Sequence, residues 1–124
     1  VDVRIMVPRK PDKRTVYLAT LSYLKEMADM GIRVFLYDGF LHSKTLMIDD
    51  NKVSIGTCNM DNRSFGLNFE NTAIIYSTKI NAQHSQIFEK DMTNSLEVGK
   101  EYFAKKRWLT KILQAIMRLL SALF

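Results

Sequence analysis

Residues 2–37 read as an apolar run, a helical period and a second apolar run, and this order constrains the fold more than any other feature of the chain. Residues 2–7, with Val3-Arg4-Ile5-Met6-Val7 at their centre, fit a short buried strand that Pro8 to Pro11 breaks. Asp12 then stands where a helix cap accepts hydrogen bonds from the free N–H groups of the first turn. From about Lys13 to Met30, Val16, Ala19, Tyr23, Leu24, Met27 and Ala28 recur at helical spacing, and Gly31 supplies a left-handed stop. Residues Ile32 to Tyr37 form the second apolar run. Strand, helix and strand in that order close as a right-handed parallel crossover, which predicts an α/β fold with helices packed on a mixed sheet.

From Leu41 onward the period changes. Two β-rich runs, His42–Asp49 and Lys52–Thr57, flank Asp50-Asn51, a pair suited to a tight hairpin turn. If the turn uses those two residues alone, paired positions sum to 101, which sets Lys44 opposite Thr57 and His42 opposite Asn59. Residues two apart on a strand share a face, so His42 and Lys44 point together and Asp49 points the other way, in a structural position. A third run, Glu70–Tyr76, ends at Ser77-Thr78. Either residue can cap a helix with the stripe Ile80, His84, Ile87, Phe88 and Leu96, closed by Gly99. Residues from about Glu101 to Leu123 read as one further helical stretch.

The balance of charge excludes several function classes. Residues 1–99 carry 12 Lys/Arg against 12 Asp/Glu, whereas residues 100–124 carry six against Glu101 alone. A nucleic-acid groove would spread positive charge along the body, while a basic tail beside a neutral body predicts one anionic contact surface. The single cysteine, Cys58, rules out an internal disulfide and hence a disulfide-stapled secreted fold. No apolar run approaches the roughly 20 residues of a spanning helix. The chain begins at Val1, inside an apolar segment, and is read as a piece cut from a longer polypeptide.

The chemistry concentrates in His42-Ser43-Lys44, Asp49, Gly56-Thr57-Cys58-Asn59 and Glu70. This spacing resembles the H-x-K-x4-D and G-[ST]-x-N signature of the phospholipase D superfamily, with the family's glutamate following. The surrounding words narrow the resemblance. They are Val3-Arg4-Ile5-Met6-Val7-Pro8 with Lys10-Pro11-Asp12, Gly39-Phe40-Leu41 before His42, Asn59-Met60-Asp61-Asn62-Arg63-Ser64-Phe65, and Leu67-Asn68-Phe69-Glu70. Together they resemble the second motif region of bacterial cardiolipin synthases over nearly the whole chain. Cys58 departs from the small apolar residue expected at its position.

The period and charge of residues 101–124 read as a separate basic amphipathic helix, and over residues 1–100 the resemblance implies a phospholipase D-like half domain with a hairpin that carries the site. It places His42, Lys44, Asp49 and Glu70 in the catalytic set. His42 would attack phosphorus as a neutral imidazole, while Lys44, Thr57, Asn59 and Arg63 bind phosphate oxygens. Glu70 would hold the second ring N–H of the histidine and so fix its tautomer. The implied reaction is phosphatidyl transfer between two phosphatidylglycerol molecules through a phosphatidyl-histidine, giving cardiolipin and glycerol. A second histidine, from the missing first catalytic half of the same polypeptide, would protonate the leaving alkoxide and activate the acceptor. His84 has no lysine two residues on and does not supply that motif.

No cofactor is expected, and two histidines with one cysteine offer no metal-ligand cluster. The expected partners are phosphatidylglycerol, other anionic phospholipid and a membrane surface, with no nucleic acid. The expected place is the bacterial cell membrane, with the catalytic part on its cytoplasmic side. In the tail, Arg107, Lys111, Gln114, Arg118 and Ser121 recur on one side of a helix. Trp108, Leu109, Ile112, Leu113, Ile116, Leu120 and Leu123 fill the other, so Lys105, Arg107, Trp108 and Lys111 are candidate membrane contacts. Amphipathicity alone fits packing on protein equally well. Two other functions share the motif: a phosphodiesterase or nuclease whose single-motif chains dimerise, and a non-catalytic membrane-interaction module. His84 and Cys58 fit a helix residue at the core edge and a small buried side chain.

Overall fold

The computed structural model describes residues 1–10 and 13–121. In chain order the elements are β1 (Arg4–Pro8), α1 (Arg14–Asp29), β2 (Arg33–Tyr37), β3 (Thr45–Ile48), β4 (Lys52–Gly56), α2 (Asn62–Gly66), β5 (Thr72–Tyr76), α3 (Thr78–Thr93), β6 (Ser95–Val98), α4 (Lys100–Ala104) and α5 (Trp108–Leu119). They form a mixed α/β fold, as the alternation of apolar runs and helical period predicts. The strands divide into two three-stranded sheets, β1-β2-β6 and β3-β4-β5, rather than the single mixed sheet expected.

The crossover forms as read. β1 and β2 pair in parallel from Arg4 with Arg33 to Pro8 with Tyr37, joined by α1. Pro8 is the last residue of β1 rather than its breaker, because β1 is an edge strand where a missing N–H removes no ladder bond. Gly31 ends the helix with φ +88, in the left-handed region that only glycine enters without cost. The helix starts after Lys13, whose side chain makes no cap hydrogen bond. The expected cap, Asp12, lies outside the described residues.

β2 alternates its side chains between two layers. Val34 and Leu36, both fully buried, join Leu21, Leu24 and Ala28 of α1, Val98 of β6 and Phe103 of α4 in one core cluster. Phe35 points to the other face and meets Phe88 of α3 edge to face, with ring centroids 6.5 Å apart. Full burial of each large apolar side chain contributes about 1.5–3 kcal/mol, so β2 anchors the fold. On α3 the same inward side carries the buried Asn81, whose Nδ2 donates to the Lys52 carbonyl at 2.9 Å. Ser85 Oγ donates to Asn81 Oδ1 at 3.3 Å. These bonds tie α3 to the second sheet, where Val53 is fully buried.

Three expectations fail here. α3 stops at Asn94, not Gly99, and Leu96 lies in β6 opposite Leu36. The open edge of β2 takes up Ser95–Val98 as an antiparallel partner, and this ladder outweighs a further turn of helix. Ile87, expected on the inward stripe, is exposed, while His84 is half-buried with Nδ1 3.3 Å from the Ile80 carbonyl. The single terminal helix is two: α4 is capped by Gly99, and Arg107, with φ −58 and ψ 146, separates it from α5.

Candidate active site

The site grows from the β3-β4 hairpin, and its register is one residue away from the expected one. Thr45 pairs with Ile55 and Ile48 with Lys52, so paired positions sum to 100 and the turn is Asp49-Asp50-Asn51. Asp49 takes φ +54, which aspartate tolerates better than most residues because its short side chain bonds locally. A three-residue turn therefore replaces the two-residue one, and every cross-strand partner shifts. Lys44 comes opposite Gly56, whose N–H donates to the Lys44 carbonyl at 3.2 Å, and not opposite Thr57. His42 and Asn59 are not a cross-strand pair, and regular β3 begins only at Thr45.

Gly56 is fixed by close approach. A Cβ there would lie 2.6 Å from Thr72 Oγ1 and closer still to the Asn71 carbonyl, so β4 and β5 converge only around glycine. That convergence brings Thr57 to the start of β5. The Thr57 N–H donates to the Asn71 carbonyl at 3.0 Å, and the Asn71 N–H returns a bond to Thr57 Oγ1 at 3.0 Å. While accepting that bond, the hydroxyl donates its own hydrogen to Glu70 Oε2 at 2.5 Å. Asn68 Nδ2 donates to the other oxygen, Glu70 Oε1, at 3.2 Å.

Glu70 is thus held from both sides. These bonds, first from Thr57 and then from Asn68, lower its carboxyl pKa below the ordinary range. The positive charge of Lys44 adds to the lowering. So does the Ser64 hydroxyl, although that buried group makes no hydrogen bond of ordinary geometry among the described residues. Lys44 Nζ itself donates to the His42 carbonyl at 2.8 Å, which ties the ammonium to the backbone beside the imidazole. The His42 ring lies 6.2 Å from the Phe40 ring and is exposed.

The structure therefore joins Thr57, Glu70 and Asn68 into one hydrogen-bonded group, with the Lys44 charge acting on the Glu70 carboxyl. Among the described residues Glu70 makes its hydrogen bonds to Thr57 and Asn68 and none to His42, which corrects the expected Glu70–His42 pair. Asp49 sits in the turn at the far end of β3 from Lys44, with Oδ2 3.9 Å from Lys52 Nζ, and not on the opposite face of the strand as expected. Asn59 is exposed on the loop after β4, and Arg63 is exposed on α2, a short helix that Asp61 caps through Ser64 N–H at 2.7 Å. Cys58 is half-buried, with Sγ 3.5 Å from the Asn59 carbonyl. Asn68 had no assigned role in the sequence; its place two residues before Glu70 is the signal that could have found it.

A protein-family model described as the phospholipase D-like domain of cardiolipin synthase matches residues 1–92. The chain belongs to this family. It is 45% identical over 124 residues to cardiolipin synthase 2 of Bacillus cereus, covering 99% of this chain and 24% of that protein. It is 49% identical over 122 residues to a cardiolipin synthase of Staphylococcus aureus, covering 98% of this chain and 25% of that one. The chain thus spans about a quarter of the length of the curated relatives it matches. Two solved structures share the fold of this cardiolipin synthase-family domain. Nuc, a phospholipase D family member from Salmonella typhimurium, aligns with a TM-score of 0.70 at 21% identity, over 80% of this chain and 65% of that one. The phosphatidylserine synthase of Haemophilus influenzae aligns at 0.65 and 17% identity, over 99% and 36%.

Proposed function

We propose that this chain supplies one of the two catalytic motifs of a phosphatidyltransferase that makes cardiolipin and glycerol from two phosphatidylglycerol molecules. In the first step a ring nitrogen of His42 attacks phosphorus, the bond to glycerol breaks, and a second histidine protonates the departing oxygen. In the second step that histidine takes the proton of an acceptor phosphatidylglycerol hydroxyl, whose oxygen displaces His42 and regenerates the free imidazole. Lys44 and Asn59 stabilise the charge that develops on the non-bridging oxygens, and Arg63 pairs with a head-group phosphate. Asp49 serves by holding the hairpin turn.

The Thr57–Glu70–Asn68 arrangement carries this reading. It leaves Glu70 ionised and without a bond to His42, so its remaining lone pairs can orient the imidazole of the second motif instead. The exposed Phe40, its ring 6.2 Å from that of His42, and the exposed Phe69 next to Glu70 in the chain support a half site that another half completes. The catalytic half domain in this reading runs past the expected boundary at residue 100 to include α4, whose Phe103 lies in its core, and α5 serves membrane contact. The place of action is the cytoplasmic face of a bacterial membrane. Among the described residues no helix is long and apolar enough to cross a membrane; contact through Lys105, Arg107, Trp108 and Lys111 is the proposed association.

The test compares the full-length protein that carries this chain with its His42→Ala variant on phosphatidylglycerol vesicles, with products read by mass spectrometry. Cardiolipin from the parent and none from the variant supports the transfer. Phosphatidic acid alone would identify a hydrolase, and nucleic-acid cleavage by a homodimer without lipid turnover would overturn the proposal in favour of a nuclease.

A further inference from the structure

Helix α5 is packed in the reverse sense for a protein-facing amphipathic helix. Its polar stripe turns inward, with Arg118 and Ser121 against α1 and Gln114 buried. Arg118 Nη2 donates to Glu26 Oε2 at 2.6 Å, and its guanidinium lies 4.6 Å from the centre of the Tyr23 ring. The Tyr23 hydroxyl is 2.9 Å from Ser121 Oγ. Gln114 is only 7% exposed, and its Nε2 has no hydrogen-bond partner among the described residues.

The described part of the apolar stripe faces outward, and Leu123, also expected on it, lies outside the described residues. Leu109, Ile112, Leu113 and Ile116 are all exposed, Trp108 is 68% exposed and Leu119 84%. A helix whose only role was to cover α1 would turn this stripe inward and leave Gln114 to water. Burying an unpartnered amide while exposing the leucines is unfavourable on both counts, so the apolar stripe has a partner of its own.

We infer that the outward face of α5 docks on an anionic bilayer surface, held in that orientation by the Tyr23–Glu26–Arg118–Ser121 contacts. Charge selects the partner: Lys105, Arg107 and Lys111 are exposed beside the apolar face, and Glu101 is the only acid in residues 100–124. Trp108, at the start of the helix, is suited to the headgroup level, where an amphipathic ring has both an apolar and a wet side. Arg118 is not among the lipid contacts, because its guanidinium is engaged by Glu26 and Tyr23.

This inference rests on the membrane reading above and not on the proposed chemistry. Vesicle binding is measured without turnover, so either can fail alone. Trp108 is the only tryptophan of the chain and reports directly. Its emission, followed on the whole 124-residue chain, is expected to shift to the blue with phosphatidylglycerol vesicles, to be quenched by brominated acyl chains, and to respond weakly to phosphatidylcholine. Leu113→Asp with Ile116→Asp is expected to abolish the shift while far-UV circular dichroism stays unchanged. Lys111→Gln is expected to weaken binding about fivefold, as one cation lost near an anionic surface does. Arg118→Gln is expected to weaken it by less than twofold, because the glutamine amide can still donate to Glu26 and the Tyr23–Ser121 contact remains.

Equal weakening by Arg118→Gln and Lys111→Gln would overturn the orientation. A blue shift without vesicles that grows with protein concentration would show that a second copy covers the face and overturn the lipid assignment. So would equal binding to phosphatidylcholine, or no shift with either lipid.

Discussion

The Thr57 hydroxyl donates to Glu70 Oε2 at 2.5 Å while accepting from the Asn71 N–H, so one side chain both orients the site carboxylate and locks the start of β5. Thr57→Val removes both bonds and keeps the shape, whereas Thr57→Ser keeps the hydroxyl. The Glu70 carboxyl is expected to titrate higher in the valine variant and unchanged in the serine variant, by carbon-detected nuclear magnetic resonance. The folded-state pKa lies below the ordinary value. The contribution of these bonds to stability is therefore full above the ordinary carboxylate range and fades as pH falls towards the depressed folded value.

Gly56 sits where β4 and β5 approach each other around its missing side chain. Gly56→Ala places a Cβ against the Asn71 carbonyl and the Thr72 backbone, neither of which can rotate away. A loss of about 1–3 kcal/mol is expected, read as a lower urea midpoint at unchanged slope. If the midpoint stays fixed, the two strands are farther apart than described.

Asp49 tests the three-residue turn. At φ +54, Asp49→Gly relieves backbone cost and is expected to leave the urea midpoint unchanged or raise it. Asp49→Val forces a β-branched residue into the left-handed region and is expected to cost about 1–2 kcal/mol. The Lys52 pair at 3.9 Å is exposed and contributes little to this difference. A two-residue turn at Asp50-Asn51 would reverse the ranking, because Asp49 would then be extended.

Phe103 belongs to the same core as Leu24, Leu36 and Val98, although it lies in the basic C-terminal stretch. Phe103→Ala is expected to destabilise the fold by about 3–5 kcal/mol in chemical denaturation. A change below about 1 kcal/mol would mean that α4 does not share this core.

The legible parts of the fold were those that periodicity dictates. Val16 to Ala28 and Gly31 marked α1 and its end, Ile32 to Tyr37 marked β2, and Ser77 caps α3 through the Ile80 N–H at 3.3 Å. The hairpin was legible as a hairpin but not in its register, because Asp49, Asp50 and Asn51 all suit turns and nothing local says how many of them turn. The end of α3 was misread for a related reason: Leu96 continues a helical stripe as well as it pairs with Leu36.

At the site, the residue types and their spacing were readable, and the connections among them were not. A motif states that His42, Lys44, Thr57 and Glu70 occur together; it does not state which oxygen accepts from which donor. That depends on Gly56 letting two strands close and on a positive φ at Asp49, each a tertiary or backbone fact.

The sequence by itself therefore determined the α/β class, the crossover, the family and the candidate residues of the motif, since each follows from local period or fixed spacing. Only the tertiary structure decided the division into two sheets, the hydrogen bonds of Glu70 and the outward turn of the apolar face of α5. Those depend on which distant segments meet: β6 on β2, Thr57 on Glu70, and Arg118 on Glu26. Amphipathicity gives a helix two faces, but only its neighbour decides which one is left to the outside.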